Sequence, residues 1–262
     1  MIAAESAPAE SLSDDLAPLR DALVDAHHGR ITIDAGDLPV PPTDADAYRV
    51  QQSVADALRW FASSPPSAWK VGAASRDAVP NAAPLPPQRV VATPATFAAG
   101  AFNRILIEGE IAFRLRAPLD GRDESSVIGA IDEWLVTIEV VDPRYADLDR
   151  ASATQKLADQ GVHGALVVGS GRPFRGTADW RALVARVLRN GDVVRETRGG
   201  HPLGDLLFLL PWLAQHAASR GMPLRAGDVV TAGTWTGVFE AFPGETVDVE
   251  FDGIGRASAT FA

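Results

Sequence analysis

The sequence predicts an α+β protein in which helices come first and strands follow. Three observations carry this reading. Before residue 62, apolar residues recur at helical spacing: Leu12, Leu16, Leu19 and Leu23, then Ala47, Val50, Val54, Leu58 and Phe61. From about residue 99 onward the pattern becomes mostly β, and Asn190-Gly191 between two apolar runs is a hairpin signal. Helices and strands are segregated along the chain and do not alternate, which suggests a mostly antiparallel or mixed sheet. The 262 residues are 46% hydrophobic and 22% charged, enough apolar material for one sizeable core with a smaller lobe.

The elements follow in order. Residues 1 to about 10 read as a loose tail, and 11–30 as a first helix ending in His27-His28-Gly29. Thr43 is placed to cap a second helix, which Ser64-Pro65-Pro66 stops. Trp69-Lys-Val-Gly72 reads as a short strand. Residues 76–98 are rich in proline and alanine and read as a long loop, a lid or wall of a site. Ile105, Ile107, Ile111, Phe113 and Leu115 alternate along a strand. The run 134–141 is apolar enough for a strand buried on both faces. Residues 183–188 and 193–196 form the hairpin arms. Residues 202–221 have helical spacing, with Pro211 implying a kink or a late start, and 228–232 and 246–251 close the fold as strands. The chain divides into 1–90, helical with the proline-rich loop, and 91–262, the β part.

Composition excludes several functions. A formal net charge of −10 and the lack of a basic stripe argue against nucleic acid. With no cysteine, disulfides, thiolate metal sites and cysteine nucleophiles are ruled out. The first ten residues lack a basic region and a long apolar run, so a secretory signal is not expected. No apolar run reaches the roughly 18 residues of a membrane span, so a cytoplasmic location is the expectation.

The chemistry-bearing residues begin with Glu108 and Glu110. Two apart on a strand, they share the face opposite the apolar one. A solvated face is the bland reading of that pair. Glu139, flanked by Ile138 and Val140, is costly to bury unless it is paired, protonated or bound to a metal; Arg144 is the competing partner. Three converging carboxylates would suit a hard dication such as Mg²⁺. Lys70 in its short apolar strand is either a proton-transfer group with a lowered pKa or a snorkelling surface lysine. Asp159 alone reads as a turn residue. Gly233-Thr-Trp-Thr-Gly237 is a tight turn or a carboxylate cradle, with Thr234 and Thr236 as its hydroxyls. His163 and His201 lack metal spacing, and no G-x-G here has a nucleotide-binding context.

Taken in order, Trp69-Lys-Val-Gly72, Ile107-Glu-Gly-Glu-Ile-Ala-Phe113, Ile138-Glu-Val-Val-Asp-Pro-Arg144, Leu157-Ala-Asp159, Gly200-His-Pro202 and Gly233-Thr-Trp-Thr-Gly237 resemble the 2-keto-4-pentenoate hydratase and 4-oxalocrotonate decarboxylase family of the fumarylacetoacetate hydrolase superfamily. The resemblance covers nearly the whole chain from about Thr43. It implies a mixed β-sandwich roll with a smaller N-terminal helical part. It also implies Mg²⁺ or Mn²⁺ held by Glu108, Glu110 and Glu139, with Lys70 and Asp159 as catalytic residues. Gln160 stands where the family has asparagine, and Gly161-Val-His163 replaces a small serine-containing stretch. Gln160, His163, Thr234 and Thr236 are then candidate substrate contacts. The implied activity is hydration of 2-hydroxypenta-2,4-dienoate to 4-hydroxy-2-oxopentanoate in aromatic meta-cleavage catabolism. The alternatives are decarboxylation of a 4-oxalocrotonate-type acid, for which Arg76 and Arg89 are candidate distal bases, and a non-catalytic metal-binding relative. Homo-oligomers are implied as well.

Overall fold

A computed structural model describes residues 12–120, 123–176 and 178–262. The loose tail expected at 1–10 lies outside them. The helical part comes first: α1 (Ala17–Gly29), entered through a 3₁₀ turn at Asp14–Leu16, and α2 (Asp44–Ala57). Thr43 caps α2 as expected, its hydroxyl accepting from the Asp46 backbone N–H. Leu16, Leu19, Leu23, Ala47, Val50 and Val54 form a small core with Tyr145, Leu157 and Ala158. This lobe is thus closed by side chains from the β part.

The strands β1 (Ala68–Gly72), β2 (Asn81–Pro84), β3 (Val90–Ala92) and β4 (Ala95–Phe97) come next. Three of them lie where the sequence reads as a loop. β2 pairs with β1, β3 pairs with β7 (His163–Pro173) and β4 pairs with β13 (Gly255–Phe261). The prolines sit at strand ends and between strands, where no ladder N–H is needed. The segment is therefore woven into both sheets and is not a lid, and the larger sheet extends across the boundary expected at residue 90.

The rest is built from β5 (Leu106–Leu115), α3 (Glu124–Ala130), β6 (Ile131–Val141), α4 (Ala153–Ala158), β8 (Val184–Arg189), β9 (Asp192–Arg198), α5 (Leu209–Ser219), β10 (Val229–Thr234), β11 (Phe239–Glu240) and β12 (Thr246–Phe251). α5 starts late, which leaves Pro211 in its first turn where a missing N–H is harmless. The larger sheet has the order β2-β1-β10-β5-β6-β7-β3, with β11 also on β5; the smaller is β4-β13-β12-β8-β9. β1 runs parallel to β10, β3 to β7 and β4 to β13, while the other pairs are antiparallel, so both sheets are mixed.

Strand alternation positions the site. Trp69, Val71, Ile107, Ile111, Phe113, Val136, Ile138, Val140, Val230 and Ala232 all enter the core between the two sheets. Their neighbours Lys70, Glu108, Glu110, Thr137, Glu139 and Thr231 then point to the opposite face of the larger sheet. Among the described residues, no helix is long and apolar enough to cross a membrane.

Candidate active site

Antiparallel pairing of β5 with β6 sets Glu108 directly opposite Glu139 and Glu110 opposite Thr137. One carboxylate oxygen from each of Glu108, Glu110 and Glu139 lies within 4.8 Å of the others. Gly109 between the first two is required by packing. A Cβ there would come within 2.8 Å of Val249 and 3.0 Å of Thr236. The smaller sheet presses on β5 at that point, so only glycine lets both glutamates keep the opposite face.

Glu139 is fully buried, and Arg144 is not its partner. Its Oε1 accepts from Lys70 Nζ at 2.6 Å and from His163 Nδ1 at 2.9 Å, while Oε2 has no partner. Glu110 is also buried and accepts from Thr231 Oγ1, which in turn receives a hydrogen bond from Thr137 Oγ1 at 2.9 Å. Glu108 is half-exposed and closes the cluster on the open side.

Crowding sets the protonation states. Burial, then the charge of Glu139, raises Glu108 to about 7. The same causes, with Glu108 added, push Glu110 well above the usual carboxylate range. Burial would raise Glu139 too, but Lys70 and His163 hold it below the ordinary value. The lowered lysine pKa that the sequence suggests does not occur. Burial would lower Lys70, yet the charges of Glu139, Glu108 and Glu110 raise it. Lys70 is therefore a resident ammonium. Burial lowers His163 further than Glu139 raises it, so its ring is neutral and donates through Nδ1.

A pH dependence follows from the raised carboxyls. Between its ordinary value near 4.5 and about 7, Glu108 holds more proton in the folded chain than in the unfolded one. Stability is then fully present below the lower value and falls as pH rises through the upper one. Burial of His27, His163, His201 and His216 lowers their pKa and pushes the whole-chain profile the other way, so the effect is read as a difference. In chelator, the melting temperature of the wild type relative to Glu108→Gln should drop from about pH 5 to about pH 8, and added Mg²⁺ should raise the wild type more at the higher pH. A difference that rises over that range, or Mg²⁺ stabilisation that is greater at low pH, would contradict the assignment.

Lys70 is fixed from a second side by the Gly161 carbonyl at 3.0 Å. That carbonyl belongs to a tight turn in which Gln160, Gly161 and Val162 all have φ between +52° and +61°. For Val162 this is a strained conformation, costing about 1–3 kcal/mol. At Gly161 a Cβ would also meet the Lys70 side chain at 3.4 Å.

Asp159 holds this turn and is not in contact with Lys70. Its Oδ1 accepts from Arg144 Nε at 2.7 Å, and its Oδ2 from the Arg144 backbone N–H at 3.3 Å; His27 Nε2 lies 3.3 Å from Oδ1. Arg144 also donates to the carbonyls of Asp159 and His163. Asp159 thus acts on the lysine only through the backbone that presents Gly161. Because the pair is buried, Asp159→Ala leaves the guanidinium with only the more distant Asp142 carboxylate, 3.9 Å away, and is expected to lower stability by about 3 kcal/mol in urea unfolding. A loss under about 1 kcal/mol would show that the pair is not what holds the turn.

The remaining candidates separate. Thr236 Oγ1 accepts from the Gly109 N–H at 3.0 Å and faces the Gly237 carbonyl at 3.2 Å, so it supports the bulge between β10 and β5 and is not free for a ligand. Thr234, across from Glu110 on β10, has a buried hydroxyl with no partner. Gln160 is buried with both amide atoms unpartnered. Arg76 is exposed and bonded to the Leu203 and Asp205 carbonyls, and Arg89 is half-buried beside the Phe102 ring. His201 accepts from the Leu203 N–H, and its ring would touch a Cβ at Gly233 at 2.9 Å, so it braces the Gly233–Gly237 loop. Sequence reasoning missed Thr231 and Thr137. Their signal was their place on strands beside the glutamates, with the same parity.

The model of the fumarylacetoacetate (FAA) hydrolase C-terminal region matches residues 64–262. The chain belongs to the fumarylacetoacetate hydrolase family. It is similar to 4-oxalocrotonate decarboxylase of Pseudomonas putida, 32% identical over 157 residues, 59% of either protein. It is equally similar to 2-keto-4-pentenoate hydratase 1 of Dechloromonas aromatica (strain RCB), 32% identical over 168 residues, 63% of either. The matched stretch therefore spans about three fifths of the length of these curated relatives. A solved structure of 4-oxalocrotonate decarboxylase from Pseudomonas putida G7, complexed with magnesium and adipate, superposes with a TM-score of 0.78 at 27% identity. That superposition covers 95% of this chain and 97% of the other. The fold expected of a family member, a mixed β-sandwich roll with an N-terminal helical part, is the fold of this chain.

Proposed function

We propose that the chain is a Mg²⁺- or Mn²⁺-dependent lyase that hydrates 2-hydroxypenta-2,4-dienoate to 4-hydroxy-2-oxopentanoate. The observation that carries this is Lys70 bonded to Glu139 inside a cluster of three carboxylates. The donor set fits a hard dication: all three ligands are oxygens, Glu139 Oε2 is buried without a partner, and two of the three carboxyls resist ionisation until positive charge arrives. Glu108, Glu110 and Glu139 would hold the ion. When bound, it supplies Lewis-acid stabilisation of charge on the substrate carboxylate and 2-oxygen.

The protein's own groups do the rest. His163 and Lys70 fix Glu139 through one oxygen and leave the other free. Lys70, protonated and one-fifth exposed, is placed to donate a proton to the substrate and to bind its carboxylate. The Thr234 hydroxyl offers a donor beside Glu110. In the overall reaction, water supplies a hydroxyl at C4 and a proton at C5. The 2-hydroxyl loses its proton and C3 gains one. The same reading makes the chain a cytoplasmic homo-oligomer whose partner is a small 2-hydroxydienoic or 2-oxo acid.

Decarboxylation of 4-oxalocrotonate is the second reading, favoured by the similarity to a decarboxylase solved with magnesium and the dicarboxylate adipate. One experiment ranks the two. With Mg²⁺, the dienol absorbance of 2-hydroxypenta-2,4-dienoate should disappear, and no CO₂ should be released from 4-oxalocrotonate. The reverse outcome selects the decarboxylase, and neither activity would remove the enzyme reading.

A further inference from the structure

β2 is an outermost strand of the larger sheet and only 4 residues long. Its Ala83 pairs with Lys70 on β1. Neighbouring residues of an antiparallel ladder alternate in direction, so Ala82 turns its backbone groups outward, to α2. The Ala82 N–H donates to the Tyr48 hydroxyl at 3.1 Å, and its carbonyl lies 3.5 Å from Gln51 Nε2. Two side chains of one helix thus close the sheet edge beside Lys70. Gln51 is fully buried and holds a second element as well. Its Nε2 donates to the Leu157 carbonyl at 2.9 Å, in the last turn of α4. Asp159 follows, and then the turn whose Gly161 carbonyl accepts from Lys70. The amide is oriented from outside: its Oε1 accepts from Arg220 Nη1 at 2.7 Å, so the NH₂ group faces the two carbonyls. The same guanidinium covers the Tyr48 ring, 5.1 Å from its centre.

We propose that Gln51, with Tyr48 beside it, is a positioning residue for Lys70. One amide joins the strand that runs along the lysine backbone to the helix whose following turn holds the lysine ammonium. Both side chains act through backbone: they fasten Ala82 and Leu157, and those segments fasten Lys70. Without the bond to Leu157 the end of α4 is free to shift, and the Gly161 carbonyl moves with it. The Glu139 contact comes from another strand and stays. The ammonium is then held from one side only. The effect on turnover rests on the reading of Lys70 as a proton donor, whereas the effect on the ammonium does not.

The sequence makes the lysine directly observable. Lys70 and Lys156 are the only lysines, so the full chain labelled with ¹⁵N-lysine has just these two side-chain ammonium groups to observe. Lys70, bonded to Glu139 and Gly161, should show a protected ammonium near neutral pH. Gln51→Met should speed the exchange of its protons with water about tenfold or more, the loss of one hydrogen bond. With saturating Mg²⁺, kcat for 2-hydroxypenta-2,4-dienoate should fall about tenfold with KM unchanged. Thr43→Ala removes the cap of the same helix away from the amide, and should alter neither. Tyr48→Phe keeps the ring and carries the same test should Gln51→Met fail to fold. Wild-type exchange in a folded Gln51→Met or, failing that variant, in Tyr48→Phe would overturn the proposal. Equal acceleration in Thr43→Ala would overturn it too, since helix stability alone would then explain the effect. Should the wild type show no turnover, the lyase reading fails and the exchange rates still decide the positioning.

Discussion

Replacing Lys70 with methionine is expected to lower turnover about 10²–10⁴-fold while leaving Mg²⁺ bound at least as tightly as before. The two halves have one cause. Lys70 holds the Oε1 of Glu139 at 2.6 Å, so it competes for the same negative charge that would attract a dication. Removing the ammonium strengthens the field at the carboxylates, while the proton donor and the carboxylate anchor are lost. Methionine keeps the length and apolar stem of the side chain, which passes close to Gly161. Initial rates with saturating Mg²⁺, together with a Mg²⁺ titration, check both halves. Retained turnover would remove Lys70 from the chemistry. A large fall in Mg²⁺ affinity would show that the lysine acts by shaping the ligands.

Glu110→Gln should have the opposite signature. Mg²⁺ affinity should fall about 100-fold or more, at the upper end of what loss of a supporting group costs, since here a ligand itself is removed. Turnover should fall with it. Yet the metal-free variant should melt at a higher temperature than the wild type near neutral pH. Burial and two neighbouring carboxylates push Glu110 well above the usual range, so its ionisation opposes folding there. The isosteric amide still accepts from Thr231 and adds no charge. Weaker metal binding together with higher metal-free stability is not the pattern of a mutation that simply damages the fold. A variant that melts lower in chelator would contradict the crowding of the three carboxyls.

Much of this was legible in the sequence. The parity of Glu108 and Glu110 against Ile107, Ile111 and Phe113 placed the acids on one face, and β5 obeys it. The apolar flanks of Glu139 announced a buried carboxylate in need of a partner. The partner's identity was not legible. Lys70 is far away in sequence, and only the parallel pairing of β1 with β10, next to β5, brings it near. Non-local pairing of that kind leaves no local periodic trace. The 76–98 segment was misread for a related reason: its short strands are held by partners distant in sequence, and proline content hid them. Asp159 looked like a turn residue and is one. What the sequence could not show is that its turn is buried on Arg144, and that the left-handed backbone of Gln160 to Val162 presents the carbonyl that holds Lys70.

Glu108, Glu110 and Glu139 together would hold one divalent ion. Crystals grown or soaked in Mn²⁺ and measured for anomalous scattering test it most directly. One strong anomalous peak bounded by those three carboxylates is expected in each chain, absent from crystals of Glu110→Gln. Crystals that carry Mn²⁺ elsewhere and none between these glutamates would contradict it.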